Sequence, residues 1–154
     1  MKKPLFTLAA AVAVLALFSS VASASVRHHH YHYHLLAQAS STGSGADAST
    51  ETTIQNSSMT GKAQSIPIEI RVTAHPSQTG VLQWSTDCTG QAGPEISKSW
   101  QVNERFPWFT KTRLHIPPII DFYSDSSSQC YVSADAVLNG TGTVVVAILD
   151  RQEG

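Results

Sequence analysis

From Ile66 onwards, apolar and polar residues alternate along most of the chain. A period of two is typical of half-buried β-strands, because successive side chains point to opposite faces of a sheet. The pattern predicts seven short strands, at residues 66–74, 81–86, 97–102, 108–116, 119–123, 130–138 and 143–149. Turn residues recur at the spacing of a β-sandwich. The expected fold is therefore all-β, a small antiparallel β-sandwich, with an open barrel or roll as the alternative.

Two turns predict hairpins. One is the polar stretch His75–Gly80 between the first two strands, and the other is Asn139-Gly140 between the last two. Asn-Gly is a strong hairpin signal because both residues tolerate a positive φ. The run Thr143–Leu149 is almost continuously apolar, which predicts a central strand that is covered on both faces.

Residues 25–65 have a different composition. The stretch Ser41–Met59 consists mainly of Ser, Thr, Gly and Ala and has almost no large apolar residue. Such a segment buries too little apolar surface to offset the entropy cost of ordering it. The sequence therefore predicts a flexible tail over residues 25–65 and a β-sandwich domain over 66–154.

The first 24 residues have the features of a secretory signal peptide. Lys2 and Lys3 precede the apolar stretch Leu5–Phe18, and Ala22-Ser23-Ala24 fits the cleavage rule of signal peptidase. An uncleaved N-terminal anchor is the alternative. Cleavage would leave 130 residues with no second apolar run of spanning length. We therefore expect a mature chain without a membrane span, either secreted or periplasmic.

The charge of the chain argues against nucleic acid as a partner. The whole chain has a formal net charge of −1 at pH 7. Without Lys2 and Lys3, eight basic residues remain against eleven acidic ones, which gives −3. Binding to nucleic acid needs a clustered basic face, and the sequence shows none.

The chain has two cysteines, Cys88 and Cys130. An even number of cysteines in an exported chain predicts a disulfide, with two free buried thiols as the alternative. Their spacing excludes a CxxC redox or zinc motif. The bond would link the end of the second predicted strand to the start of the sixth.

Three features resemble the extracytoplasmic domain of the mycobacterial membrane protein small family, MmpS. These are the opening segment Ile68–Thr86 with a Gly in its turn, Pro107-Trp108 at the head of a strand, and the stretch Cys130–Asp135. The last is similar to that family's Cys-x-Ile-x-Val-Asp. The resemblance covers roughly Ile66 to Leu138. It implies a β-sandwich that acts as an accessory to a membrane transporter of the resistance-nodulation-division type.

A histidine-rich tract precedes the Ser/Thr-rich stretch. It contains five of the seven histidines: His28, His29, His30, His32 and His34. Neutral imidazole binds copper, nickel and zinc, so the tract is a candidate metal-binding segment for these ions. The alternative is a solvated low-complexity tail with incidental affinity for metals.

No catalytic motif stands out. The sequence lacks G-x-S-x-G, H-E-x-x-H and a phosphate-binding glycine loop, so we expect no catalysis. Phe106, Trp108 and Phe109 surround Pro107, and their exposure would create a binding patch. Burial in the core is the alternative for these aromatic residues.

These observations support one leading hypothesis and one alternative. The first is an exported β-sandwich of the cell envelope that works by binding, as an accessory to a membrane transporter or another envelope protein. The alternative is a periplasmic or secreted metal-binding protein that acts through the histidine tract.

Overall fold

The structure is a computed structural model that describes residues 31–57, 61–90, 95–120 and 128–153. These residues form eight β-strands. Their bounds are β1 Tyr31–Ser44, β2 Asp47–Gln55, β3 Gln64–His75, β4 Thr79–Thr89, β5 Ile96–Arg105, β6 Trp108–Ile116, β7 Gln129–Leu138 and β8 Thr141–Glu153. Within these ranges no helix is long and apolar enough to cross a membrane.

The strands form two four-stranded antiparallel sheets. Sheet A has the order β1-β8-β3-β6, and sheet B has the order β2-β7-β4-β5. The sheets face each other across a shared core, so the predicted all-β sandwich is confirmed. The inner face of each sheet is the side that meets this core, and the outer face is the opposite side.

The expectation of a flexible tail is wrong for residues 31–55. Strand β1 pairs with β8, and β2 pairs with β7, so both extend the sandwich at one edge. Most of their inner positions are small residues, and Ala48 is only 3% exposed. Edge strands made of Ser, Thr and Ala gain backbone hydrogen bonds with a neighbour and need little apolar volume. Composition reflects only the side-chain burial that a segment can achieve, and it does not reveal these backbone bonds.

Both expected hairpins are wrong as well. Strand β3 lies in sheet A and β4 in sheet B, while β7 lies in sheet B and β8 in sheet A. Of the seven connections between the described strands, only the one between β4 and β5 joins neighbours in the same sheet. Turn residues show where the chain reverses, but they do not show whether the next strand stays in the sheet or crosses the core.

The remaining strands match the alternation closely, with one exception. The strand expected at residues 119–123 is not observed at Ile119 and Ile120, and its other residues lie outside the described part of the chain. Strand β8 is central in sheet A, as expected from its apolar run. The inner residues Val144, Val146 and Ile148 are fully buried, and the outer residues between them are half-buried.

The core lies between the two sheets and is built from the inner positions of both. Its fully buried aliphatic side chains are Ile68, Ile70, Val72, Leu82, Leu114, Ile116, Val132, Leu138, Val144, Val146 and Ile148. The core closes at one end with Phe106, which is 0% exposed. A Cβ added at Gly80 would lie 2.4 Å from Phe106 Cε2 and 2.5 Å from the carbonyl oxygen of Val137. A residue with a side chain at position 80 would therefore overpack this end of the core.

The predicted disulfide is confirmed. Cys88 at the end of β4 and Cys130 at the start of β7 lie directly opposite each other in sheet B. Their sulfurs are bonded, and their Cα atoms are 4.0 Å apart. Both side chains are buried against the core. The bond therefore joins the two central strands of sheet B.

Candidate binding groove on the outer face of sheet B

The candidate aromatic patch does not form a single surface. Phe106 is fully buried, Phe109 is 56% exposed on the outer face of sheet A, and Trp108 points towards the core. The Trp108 ring lies 6.0 Å from the Trp84 ring, measured between centroids. Adjacent residues in a strand face opposite sides, so Trp108 and Phe109 cannot share a surface.

The structure describes two members of the histidine tract. His32 and His34 lie in β1 with exposed side chains, and His28, His29 and His30 lie outside the described residues. His32 pairs with Gln152 and His34 with Asp150 across to β8. The expectation of a flexible tract is therefore wrong for His32 and His34, because both lie in a strand. Within the described residues, no three His, Cys, Asp or Glu side chains are grouped to hold a metal ion.

A groove of about 480 Å³ crosses the outer face of sheet B. This volume falls within the usual range for sites that hold small ligands, about 300–1,000 Å³. The groove runs over β7, β4 and β5. Its lining residues are Gln83, Trp84, Ser85, Ser99, Trp100, Gln101, Ser133 and Asp135.

The strand register creates two polar rows across the groove. Ser133, Ser85 and Ser99 lie side by side in one row. The Ser85 and Ser133 hydroxyls are hydrogen-bonded at 2.8 Å. These side chains share a face because paired residues in antiparallel strands point to the same side of the sheet.

The second row, Asp135, Gln83 and Gln101, lies beside the first. The Gln83 Nε2 donates a hydrogen bond of 2.7 Å to the Gln101 Oε1. This contact orients the two amides side by side. Each amide retains hydrogen-bonding capacity, because a primary amide has two N–H donors and an oxygen with two lone pairs.

At the end of the groove formed by Asp135, acidic groups lie close together and pKa values are shifted. Partial burial raises the pKa of the Asp135 carboxyl, and the nearby Asp47 raises it further by repulsion and by a hydrogen bond. On the same face, the Tyr131 hydroxyl donates a hydrogen bond to the Glu51 carboxylate. That bond is the main cause of the raised pKa of Tyr131. The face around the groove is therefore acidic.

Two tryptophans underlie the groove. The Trp84 and Trp100 rings are stacked with centroids 5.5 Å apart, Trp84 within the core and Trp100 36% exposed at the sandwich edge. Beside Trp100, a small cleft of about 70 Å³ opens between β5 and β6. The stacked pair makes the floor of the groove rigid, since large rings in contact restrict each other's rotamers.

Sequence reasoning missed this groove. The outer residues of β4 and β7 alternate as expected, and by themselves they indicate only a solvated face. The signal lies in the pairing of strands, because Gln83 and Gln101 are 18 residues apart and Ser85 and Ser133 are 48 apart. A single sequence does not give that register.

Comparison with known proteins identifies no family. No family model matches the chain, and no curated protein matches it. Nothing in these comparisons bears on the resemblance to the MmpS family.

Among solved structures, the chain is similar to several proteins at low TM-scores. TmCBM61, solved in complex with β-1,4-galactotriose, gives a TM-score of 0.39 at 5% identity and covers 72% of this chain. The enzymatically active domain of bacteriophage CBA120 tailspike protein 4 gives 0.39 at 12% identity over 81%. The family 11 carbohydrate-binding module of Clostridium thermocellum, in complex with a mixed-linked tetrasaccharide, gives 0.29 at 10% over 82%.

The matched regions span 66%, 19% and 85% of those three chains, respectively. At these TM-scores and identities, neither a ligand nor an activity is carried over to this protein.

Proposed function

We propose that this protein is an exported β-sandwich that works by binding, and that the outer face of sheet B holds a neutral, hydroxyl-rich chain such as an oligosaccharide. The single observation that carries this proposal is the polar groove across β7, β4 and β5. Its two rows place amide, hydroxyl and carboxyl groups side by side over three strands.

The chemistry of the groove supports a sugar-like ligand. Sugar hydroxyls donate and accept hydrogen bonds, and so do the amides and hydroxyls of Gln83, Gln101 and Ser99. None of the described residues that line the groove is Lys or Arg, and the face around it is acidic. Anionic ligands are therefore disfavoured, and a neutral ligand fits best.

The proposal includes no catalysis. Glycoside hydrolysis uses two carboxyl groups on opposite sides of the scissile bond. Among the described lining residues, Asp135 is the only carboxylic acid, and Asp47 contacts it from the same side. This arrangement suits hydrogen bonding to a ligand better than bond cleavage.

Export is also part of the proposal. The signal-like N-terminus and the Cys88–Cys130 disulfide support an oxidising compartment outside the cytosol. A role as an accessory to an envelope transporter, which the MmpS resemblance implies, stays a prediction. The groove faces solvent and would stay accessible in either setting.

The test is electrophoresis of the exported chain through native gels that contain neutral soluble polysaccharides. We expect one of them to retard the protein, independently of salt. The double variant Gln83→Ala/Gln101→Ala should lose about tenfold in affinity, because two hydrogen-bonding groups are removed. The matched control Gln38→Ala/Gln152→Ala changes two exposed glutamines in sheet A and should bind normally.

Three results would contradict the proposal. If none of the polysaccharides retards the protein, the proposed class of ligand is wrong. Equal losses in both double variants would place the site outside the groove. Binding that disappears in salt would show that charge, rather than hydrogen bonding in the groove, holds the polysaccharide.

Metal capture is a second candidate function, and the register of β1 favours it. His32 and His34 point to the same side of β1, and Asp150 lies directly opposite His34. These groups could contribute ligands for copper, nickel or zinc. A titration with copper(II) should show weaker binding in His32→Ala/His34→Ala than in the unchanged chain. Equal affinity would leave the two histidines without a metal role.

A further inference from the structure

The outer face of sheet A is the opposite surface of the sandwich, and it carries exposed apolar side chains. Leu35 on β1 is 58% exposed, Phe109 on β6 is 56% exposed, and Tyr33 is 37% exposed. Strands β1 and β6 are the two edges of the sheet, three strand spacings or about 14 Å apart. The exposed apolar groups therefore lie at both edges of this face.

Cations lie beside the aromatic rings of this face. The Arg71 guanidinium lies 4.4 Å from the centroid of the Tyr33 ring, and Arg151 lies 4.7 Å from the Tyr31 ring. The Lys111 Nζ lies 5.4 Å from the Phe109 ring. Contact with an aromatic face holds each cation close to the sheet.

The charges of the protein are segregated between its two outer faces. Among the described side chains, the outer face of sheet A has the cations Arg71, Lys111, Arg113 and Arg151. Its carboxylate Glu69 is 2% exposed and paired with Arg71 at 2.5 Å. The outer face of sheet B has the acids Asp47, Glu51, Asp87 and Asp135, with Arg105 at the end of β5. One face is thus basic and the other acidic.

We propose that the outer face of sheet A docks on an anionic lipid surface and directs the groove away from it. Phosphate headgroups complement Arg71, Lys111, Arg113 and Arg151. Leu35 and Phe109 enter the interfacial region, where aromatic and aliphatic side chains are favourable. The acidic face of sheet B is repelled by the same lipids, so both faces impose one orientation.

The apolar side chains distinguish a lipid surface from other anionic partners. A second copy of this chain could offer its acidic face to the basic one. However, Tyr131 is the only large hydrophobic side chain described as exposed on that acidic face, so Leu35 and Phe109 would lack apolar partners there. A soluble anionic polymer would match the charges but not the aliphatic Leu35. A lipid surface matches both. This inference does not depend on the ligand of the groove.

The test is flotation of the exported chain with vesicles, at a pH where histidine is neutral. We expect the chain to float with vesicles of equal parts phosphatidylcholine and phosphatidylglycerol, and not with phosphatidylcholine alone. Lys111→Gln/Arg113→Gln should weaken binding about twenty-five-fold, because each cation near an anionic surface contributes about fivefold. The matched control Lys98→Gln/Arg105→Gln removes the same charge from sheet B and should float normally.

A second pair of variants tests the apolar contribution. Phe109→Ser should weaken flotation about tenfold, whereas Ile96→Ser, an exposed apolar residue of β5, should not. We expect each variant to fold, because all these side chains are exposed, and circular dichroism checks this. Absence of flotation, equal losses in matched variants, or full binding by Phe109→Ser would overturn the proposal. So would vesicle-free self-association that Lys111→Gln/Arg113→Gln abolishes, because it would assign the face to a second copy.

Discussion

Glu69 is a buried carboxylate whose ion-pair partner among the described residues is Arg71. It lies on the outer face of sheet A, yet it is 2% exposed and is paired with Arg71 at 2.5 Å. The same contact is the main cause of the raised pKa of Arg71. The Arg71 guanidinium also contacts the Tyr33 ring.

We expect Arg71→Met to destabilise the protein by about 1–3 kcal/mol, because Glu69 would remain buried without its charged partner. Denaturant unfolding followed by tryptophan fluorescence measures the change. The double variant Glu69→Gln/Arg71→Met should recover most of the loss. A double variant as unstable as Arg71→Met would show that the Arg71 stem, rather than the ion pair, carries the effect.

Asp135 gives a pH dependence with a definite sign. Its pKa is raised, so between the ordinary pKa of an aspartate and the raised one the folded state binds more protons than the unfolded state. Stability therefore falls as pH rises through that window. Asp135→Asn should be more stable than the unchanged chain at neutral pH and equal to it at acidic pH.

Melting temperatures from pH 3 to 7 provide the measurement for Asp135. Asp47→Asn should give part of the same gain, because Asp47 is the second cause of the raised pKa. A constant offset between Asp135→Asn and the unchanged chain at all pH values would contradict this explanation.

Some residues were predictable from sequence and others were not. The Cys88–Cys130 bond followed from an even cysteine count in an exported chain, which needs no geometry. Phe106 and Phe109 could not be assigned, because burial beside a proline turn depends on where the chain closes the core. The groove residues depend on the register between strands distant in sequence, which alternation alone does not give.

At the scale of elements, β1 and β2 are part of the sandwich. Ala48 on the inner face of β2 is 3% exposed, and Ser49 next to it is exposed. We expect Ala48→Gln to cost about 3 kcal/mol, because it overpacks the core and buries an unpaired amide. Ser49→Gln should have almost no effect. Thermal unfolding of both variants measures this difference. If neither substitution changes the melting temperature, the interpretation of these residues as a flexible tail would be correct after all.

Gly80 lies at the start of β4 and packs closely against Phe106. Gly80→Ala should destabilise the fold by about 1–3 kcal/mol, since the new Cβ would lie 2.4 Å from Phe106 Cε2 and 2.5 Å from a carbonyl oxygen. Denaturant unfolding measures the loss. Gly80→Ala/Phe106→Leu should lose less than the sum of the two single variants. Additive losses would show that the Phe106 ring and the new methyl group do not occupy the same space.

The sequence predicted strands much better than sheets. Alternation located β3, β4 and β6 to β8, because a half-buried strand must repeat every two residues. It did not show that β3 and β4 lie in different sheets, since the same turn residues serve both arrangements. It also missed β1 and β2, whose small side chains resemble a linker by composition.

At the scale of the whole molecule, the sandwich has two chemically different outer faces. Sheet A presents cations with exposed apolar groups, and sheet B presents acids around a groove of amides and hydroxyls. A signal peptide and a disulfide would place such a molecule outside the cytosol. The two proposals together describe a protein that docks on a lipid surface by one face and binds a ligand by the other.

The most direct test of the groove is amide chemical-shift mapping of the isotope-labelled chain during titration with soluble neutral oligosaccharides. We expect saturable shifts at residues 83–85, 99–101 and 133–135, which line adjacent strands of sheet B, and none at residues 109–113 of sheet A. Shifts that cluster on sheet A or at the cleft between β5 and β6 would contradict this assignment, and so would unchanged spectra at saturating concentrations.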